Sequence, residues 1–509
     1  MSSSARHVLQ LLRGRAAEGP RCFISVGRRW NSSTVARQSG SPAQQSYTLR
    51  EIDKLLTSIA NSADKTSFHP SPLAMRSLNV PWLSSKNPNL GSQAESTADP
   101  KTASEPPLTE AEMAEMYKPR HMDDSYTSFD LPLKSDPELL ERYVNAMGGF
   151  RMGKLLEHLD SLAGAVAYRH CLPPLDSSPP DASKAFHAAS ARAGLFLATA
   201  SADRLDMLGR LNRDNVRDLK FSGFVTWTGN SSMEVVVKMQ GSRPDGSTSA
   251  EAGAEGEWET LMLGRFAMVC RDAKTLKARK VPPLLVESEE EKMLWELGED
   301  YQRRRKTTSK ISLDKVPPSF LEAAQLHDLM LQVNDHSVDT IQGEKIVQMK
   351  DTELSSVQLM FPQDRNLHGK VFGGILMRLA FELCFTNAAL FASQPMRFQS
   401  LDQITFRLPV PIGAVLHLTS KVVKTTRPNQ GRDGEAKAHI QVVAEVEEVE
   451  TGLRRETNTF YFTMAKDDSE PIGRTVVPTT YNEAMTYLEG ERRLLHGSET
   501  RRLYRVGKA

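Results

Sequence analysis

Four cysteines in 509 residues, Cys22, Cys171, Cys270 and Cys384, are too few and too scattered for a metal knuckle or a disulfide scaffold. Unpaired thiols in a reducing compartment are expected instead. Charge of one sign is also lacking: 64 Lys and Arg against 63 Asp and Glu leave a net +1, which excludes a dedicated nucleic-acid binder. No uninterrupted apolar run is long enough to span a bilayer. The nearest, 375–392, is broken by Arg378, Glu382 and Asn387, so a buried helix is expected. Ser231 and Ser232 lack the glycine-flanked strand-to-helix setting of a nucleophile elbow, which excludes serine-hydrolase chemistry there.

Acidic residues are nearly missing from the N-terminus. Residues 1–38 carry Arg6, Arg13, Arg15, Arg21, Arg28, Arg29 and Arg37 with Glu18 as the one acid, the composition of a mitochondrial transit peptide. The following stretch to 107 is rich in Ser, Pro and Asn and is expected to be mostly disordered, with room for a short amphipathic helix at 49–59.

Two segments then match each other. One reads Asn145-Ala-Met-Gly148-Gly-Phe-Arg-Met-Gly153, the other Asn366-Leu-His368-Gly369-Lys-Val-Phe-Gly373-Gly374, and each runs into an apolar helix. Aligned on Gly153 and Gly374, both place Asn eight residues earlier and a further Gly three after the Asn. Seven residues beyond the glycine the first has Asp160 and the second Phe381. Helices are expected at 153–170 and 374–392. After them come strands at 195–205, 221–228, 233–240 and 257–270, and at 401–408, 415–424, 437–446 and 454–464; another strand, 353–361, precedes the second turn. Between 437 and 446 apolar and polar residues alternate, the mark of an antiparallel strand with one buried face. The helix at 374–392 is apolar nearly all round and must be wrapped on most sides. A curved antiparallel sheet around a central helix, made twice, satisfies both patterns. Between the halves, 287–310 begins acidic and ends basic, which suits the helix macrodipole and predicts a solvated connecting helix.

These residues resemble the double hot-dog acyl-CoA thioesterases, especially those of the mitochondrial type. The resemblance rests on the Asn-x-x-Gly-x-x-x-Gly-Gly turn at 366–374, the helix 159–170, and the blocks 221–235, 402–413 and 481–490. It covers about 131–493 and implies an α+β tandem hot-dog fold. The expected organisation is a transit peptide (1–38), a linker (39–107), a first hot-dog domain (108–286), a connecting helical segment (287–335), a second hot-dog domain (336–495) and a C-terminal tail (496–509). The resemblance also implies a mitochondrial matrix enzyme that hydrolyses fatty acyl-CoA without a cofactor or metal, and a homo-oligomer, trimer or dimer, of double hot-dogs. No Asp-x-Asn-Pro-x-His arrangement is present, which disfavours an acyl dehydratase on the same fold. A non-catalytic acyl-CoA-binding or scaffold protein remains the alternative.

Thioester hydrolysis needs a base for water and donors for the oxyanion. Carried over from the resemblance, Asp160 is the expected general base and Asn366 the amide that orients water or carbonyl from the opposite half. Gly373 and Gly374 form the oxyanion end. The second, vestigial site would pair Asn145 with Phe381, with Glu382 adjacent but rotated about 100° around the helix. His368 is expected as a structural or surface histidine and Glu157 as a polar helix-face residue. Arg365, Lys370, Arg407, Lys421, Lys424 and Arg427 are the candidate cations for the phosphates of coenzyme A.

Overall fold

The alternation at 437–446 becomes the central strand of the second half, its apolar side chains buried and Gln441, Val443 and Glu445 half-exposed. In the computed structural model, residues 49–62 and 109–172 are described, as are 189–506 apart from 191, 212–214, 244–257, 309–312, 314, 335–338, 366–368, 429, 431–433 and 469. The expected transit peptide and most of the expected linker lie outside the described residues. So do Asn366 and His368.

The helices are α1 (Leu49–Ser62), α2 (Glu110–Met116), α3 (Pro137–Glu141), α4 (Met152–Cys171), α5 (Glu289–Thr308), α6 (Phe320–Asn334), α7 (Gly373–Ala392) and α8 (Tyr481–Val506). The first half contributes strands β1 (Thr127–Leu131), β2 (Leu195–Ala202), β3 (Leu205–Met207), β4 (Leu219–Thr228), β5 (Ser232–Ser242) and β6 (Trp258–Asp272). From the second come β7 (Thr340–Ile341), β8 (Glu344–Gln348), β9 (Leu354–Leu359), β10 (Arg397–Leu401), β11 (Ile404–Thr405), β12 (Val415–Thr426), β13 (Lys437–Glu447), β14 (Arg454–Ala465) and β15 (Arg474–Val477). β7, β8 and β15 form a small sheet. The other strands make one 12-stranded sheet in the order β1-β4-β5-β6-β3-β10-β14-β13-β12-β9, with β2 and β11 paired beside the central join.

That order reads the same from both ends, so the sheet has a pseudo-twofold axis where β3 meets β10 and β2 meets β11. The two long helices sit on this axis. A Cβ added to Gly153 would stand 3.2 Å from the Arg378 Cα, and one added to Gly374 3.1 Å from the Glu157 Cα. The contacts are reciprocal, so α4 and α7 cross antiparallel, and each glycine allows the close approach. The helix that passes for a membrane span by composition is thus a core helix, with Ile375, Leu376, Met377, Ala380 and Cys384 buried. Residues 157 and 378 occupy equivalent places in the repeat, and they pair across the axis, Arg378 Nε to Glu157 Oε2 at 3.3 Å. Glu157, expected as a polar helix-face residue, is buried.

The helix expected as a solvated connector is instead an outer layer of the first half. Leu294 on α5 is buried with Phe224, Val236 and Leu263, and with Ile52, Leu56 and Ile59 of α1. Gly298 lies against Trp227, Arg265 stacks on Tyr301 at 3.7 Å, and Arg305 is paired with Asp203 and Glu234. α8 does the same for the second half: Gly490 lies against Val423 and His439, and Arg493 stacks on Tyr461 at 4.2 Å. Cation and ring have exchanged helices between the two copies. Residues 496–506, expected as a tail, continue α8.

Candidate active site

Asp160 is fully buried on α4. Thr199, on β2, donates its hydroxyl to Asp160 Oδ1 at 2.8 Å. The other oxygen, Oδ2, makes no hydrogen bond of normal geometry and turns toward the first turn of α7, where a Cβ on Gly373 would stand 3.1 Å from it. Burial raises the carboxyl pKa from its usual 3.8 to about 6, partly offset by the Thr199 hydroxyl and the Gly374 N–H, which favour the charged form. A carboxylate poised this close to neutrality suits a general base. The start of a 20-residue helix supplies unpaired N–H groups and the positive end of the macrodipole, where an oxyanion is stabilised. Acid and donors come from different halves of the chain.

The equivalent place in the other half has no carboxylate. β2 and β10 bulge alike, at Ala200 and Gln399, and the register pairs Thr199 with Met268 and Phe398 with Met464. Phe398 therefore replaces Thr199, just as Phe381 replaces Asp160. The two rings meet edge to face at 5.5 Å, and Phe381 meets Phe462 at 5.7 Å. A hydrogen-bonded acid has become an aromatic cluster. Glu382 is tied to Arg151 at 2.8 Å. The Asn145 side-chain oxygen accepts from the N–H groups of Met147 and Gly149 at 2.9 and 3.0 Å, the local role that Asn plays in turns.

The glycine turns keep a common frame: Val144 bridges Phe150 as Arg365 bridges Val371, and Gly148 and Gly369 have φ of 82° and 70°. Arg365 and Lys370 belong to this frame, one residue before and four residues after Asn366 along the chain. The remaining candidate cations are engaged elsewhere. Arg407 pairs with Glu456 at 3.2 Å, Lys421 with Glu353 at 3.0 Å, and Lys424 donates to the Tyr487 hydroxyl at 2.6 Å. Arg427 binds Glu344, Gln342 and the Ile341 carbonyl. Among the described residues no three of His, Cys, Asp and Glu gather as a metal site. Thr199 was not visible in the sequence, because its place beside Asp160 depends on a bulged strand register that no spacing along the chain encodes.

No protein-family model matches the chain. Its relatives include the mitochondrial acyl-coenzyme A thioesterase 9 of Mus musculus, 34% identical over 378 residues, which are 74% of this chain and 78% of that protein. The protein of the same name from Bos taurus is 33% identical over 475 residues, 92% of this chain and 94% of its own. A solved acyl-CoA hydrolase of Staphylococcus aureus aligns over 96% of its length with 32% of this chain, at 22% identity and a TM-score of 0.28. By its identity to these relatives along most of its length, and with the doubled sheet-and-helix architecture described above, the chain belongs to the double hot-dog acyl-CoA thioesterases of the acyl-CoA thioesterase 9 type.

Proposed function

We propose that this enzyme hydrolyses fatty acyl-CoA to a free fatty acid and coenzyme A at one site, with Asp160 as general base. The observation that carries the reading is the buried Asp160 carboxylate of one half held against the diglycine start of the other half's helix. Asp160 takes a proton from a water molecule that Asn366 orients. The hydroxide oxygen adds to the thioester carbonyl, and the oxyanion is met by the N–H groups of Gly373 and Gly374. Such donors are each worth about 10²–10³ in rate. Collapse of the tetrahedral intermediate breaks the C–S bond, and the proton held by Asp160 goes to the leaving thiolate. Thr199 holds the carboxylate in the orientation this requires. The Arg-rich N-terminus and the naming of the relatives favour a mitochondrial enzyme.

The test is release of coenzyme A from acyl-CoAs of graded chain length by the unmodified protein, Asp160→Asn and Asn366→Ala. We expect Asp160→Asn to lower kcat by about 10²–10⁴-fold, and Asn366→Ala to lower it as well. Full activity in Asp160→Asn would remove the base assignment.

A further inference from the structure

We propose that the Phe406 side chain is the movable cover of the Asp160 carboxylate and the wall that limits the bulk an acyl group carries next to its thioester carbonyl. This rests on the assignment of Asp160 as the catalytic base. The carboxylate has no exposed surface, yet water and a thioester must reach it, so something over it has to move. The Phe406 ring stands beside it. A Cβ built on Gly373 would lie 3.1 Å from Asp160 Oδ2 and 3.2 Å from the edge of the Phe406 ring. Acid, ring and diglycine therefore converge on one point, where the thioester carbonyl has to sit. The ring is only half-buried, packed against the rim of the core.

The backbone around it is fixed. The Phe406 N–H donates to the Ala200 carbonyl at 3.0 Å, and the Arg407 N–H to the Thr457 carbonyl at 3.2 Å. Opening is then a rotamer change of one side chain, with no main-chain hydrogen bond broken and no loop displaced. In the first half the same register position, two residues after the start of β3, holds Met207, which is buried. A partly exposed aromatic at this position thus accompanies the acid-bearing site. With the ring seated, water is kept from the carboxylate, in keeping with the raised pKa that burial gives it. With the ring displaced, the space it vacates is bounded by Gly373 and Asp160.

The experiment compares the unmodified protein with Phe406→Ala and Phe406→Leu by two readouts. The first couples an amine to carboxyl groups through a water-soluble carbodiimide and scores the Asp160 peptide by mass spectrometry, with buried Asp402 as the control for general loosening. The second is the ratio of kcat/KM for isobutyryl-CoA to that for butyryl-CoA. Labelling of Asp160 should rise in Phe406→Ala while Asp402 stays unlabelled, and the ratio should rise about tenfold, a size typical of a pocket relieved of one carbon's bulk. Phe406→Leu should fall between. Unchanged Asp160 labelling, or an unchanged ratio in an active Phe406→Ala, overturns the proposal. Raised Asp160 labelling in a protein whose unmodified form turns over no acyl-CoA would keep the cover and remove the thioesterase mechanism instead.

Discussion

At the scale of the residue, the role proposed for Asp160 sets activity against stability. Its pKa is higher in the folded protein, about 6, than the usual 3.8. Between those values the native state binds more protons than the unfolded chain, so stability falls as pH rises through the window and is lowest above it. At about 1.4 kcal/mol per unit, the charged carboxylate costs the fold on the order of 3 kcal/mol at pH 8. Asp160→Asn should therefore be nearly inactive yet more stable at pH 8, with the gain fading below pH 4. Chemical denaturation at the two pH values checks it, and an equal effect at both would show that the charge is not the cause. For the same reason kcat/KM should fall on the acid side near pH 6. Thr199→Ala should move that limb to higher pH, because the hydroxyl favours the charged form. Asp160 stands out in the sequence, since only one copy of the repeat has a carboxylate there and the resemblance to the thioesterases points to it. Its partner does not, because Thr199 reaches it only through the folding of β2 onto β6.

Elements were legible where one period dominates. β13 alternates from Ile440 to Glu447, and α4 and α7 begin within one residue of their expected starts. α5 was misread because its charges outweigh its apolar content. Its buried face is the spaced set Leu294, Gly298, Tyr301 and Arg305, three or four residues apart, and Arg305 looks like one more cation of a basic end until Asp203 and Glu234 are seen opposite it. The crossing of α4 and α7 offers a test of the glycines that the repeat singled out. A Cβ at Gly153 or Gly374 would meet main-chain atoms of the facing helix at 3.1 Å, and backbone yields less readily than a side-chain tip. Either Gly→Ala change should cost about 1–3 kcal/mol by forcing the helices apart. Only Gly374→Ala lies at the acid-bearing site, so it should also depress kcat, whereas Gly153→Ala, beside the aromatic cluster, should leave kcat close to normal. Equal losses of kcat in both would mean that helix spacing, and not the oxyanion end, governs turnover.

For the whole molecule, duplication permitted an unequal division of labour. In a symmetric pair of hot-dogs each half would contribute acid to one site and helix start to the other. On the proposed assignment the first half supplies Asp160 and Thr199 and the second supplies Asn366, the diglycine and Phe406, while the place equivalent to Asp160 is filled by Phe381, Phe398 and Phe462. The filled place contributes apolar burial, which a second buried carboxylate would not, and the Glu157–Arg378 pair ties the two helices on the axis. The consequence can be measured by cutting the chain between α5 and α6, outside both sheets, and producing the two pieces separately and together. Each piece alone should lack thioesterase activity, the first because it has an acid without an oxyanion end, the second because it has the reverse. Together they should recover activity, because the pairing of β3 with β10 and β2 with β11 rebuilds the continuous sheet. Activity in the first piece by itself would mean that its own α4 start serves Asp160 within a homodimer, and that the second half is dispensable for the chemistry.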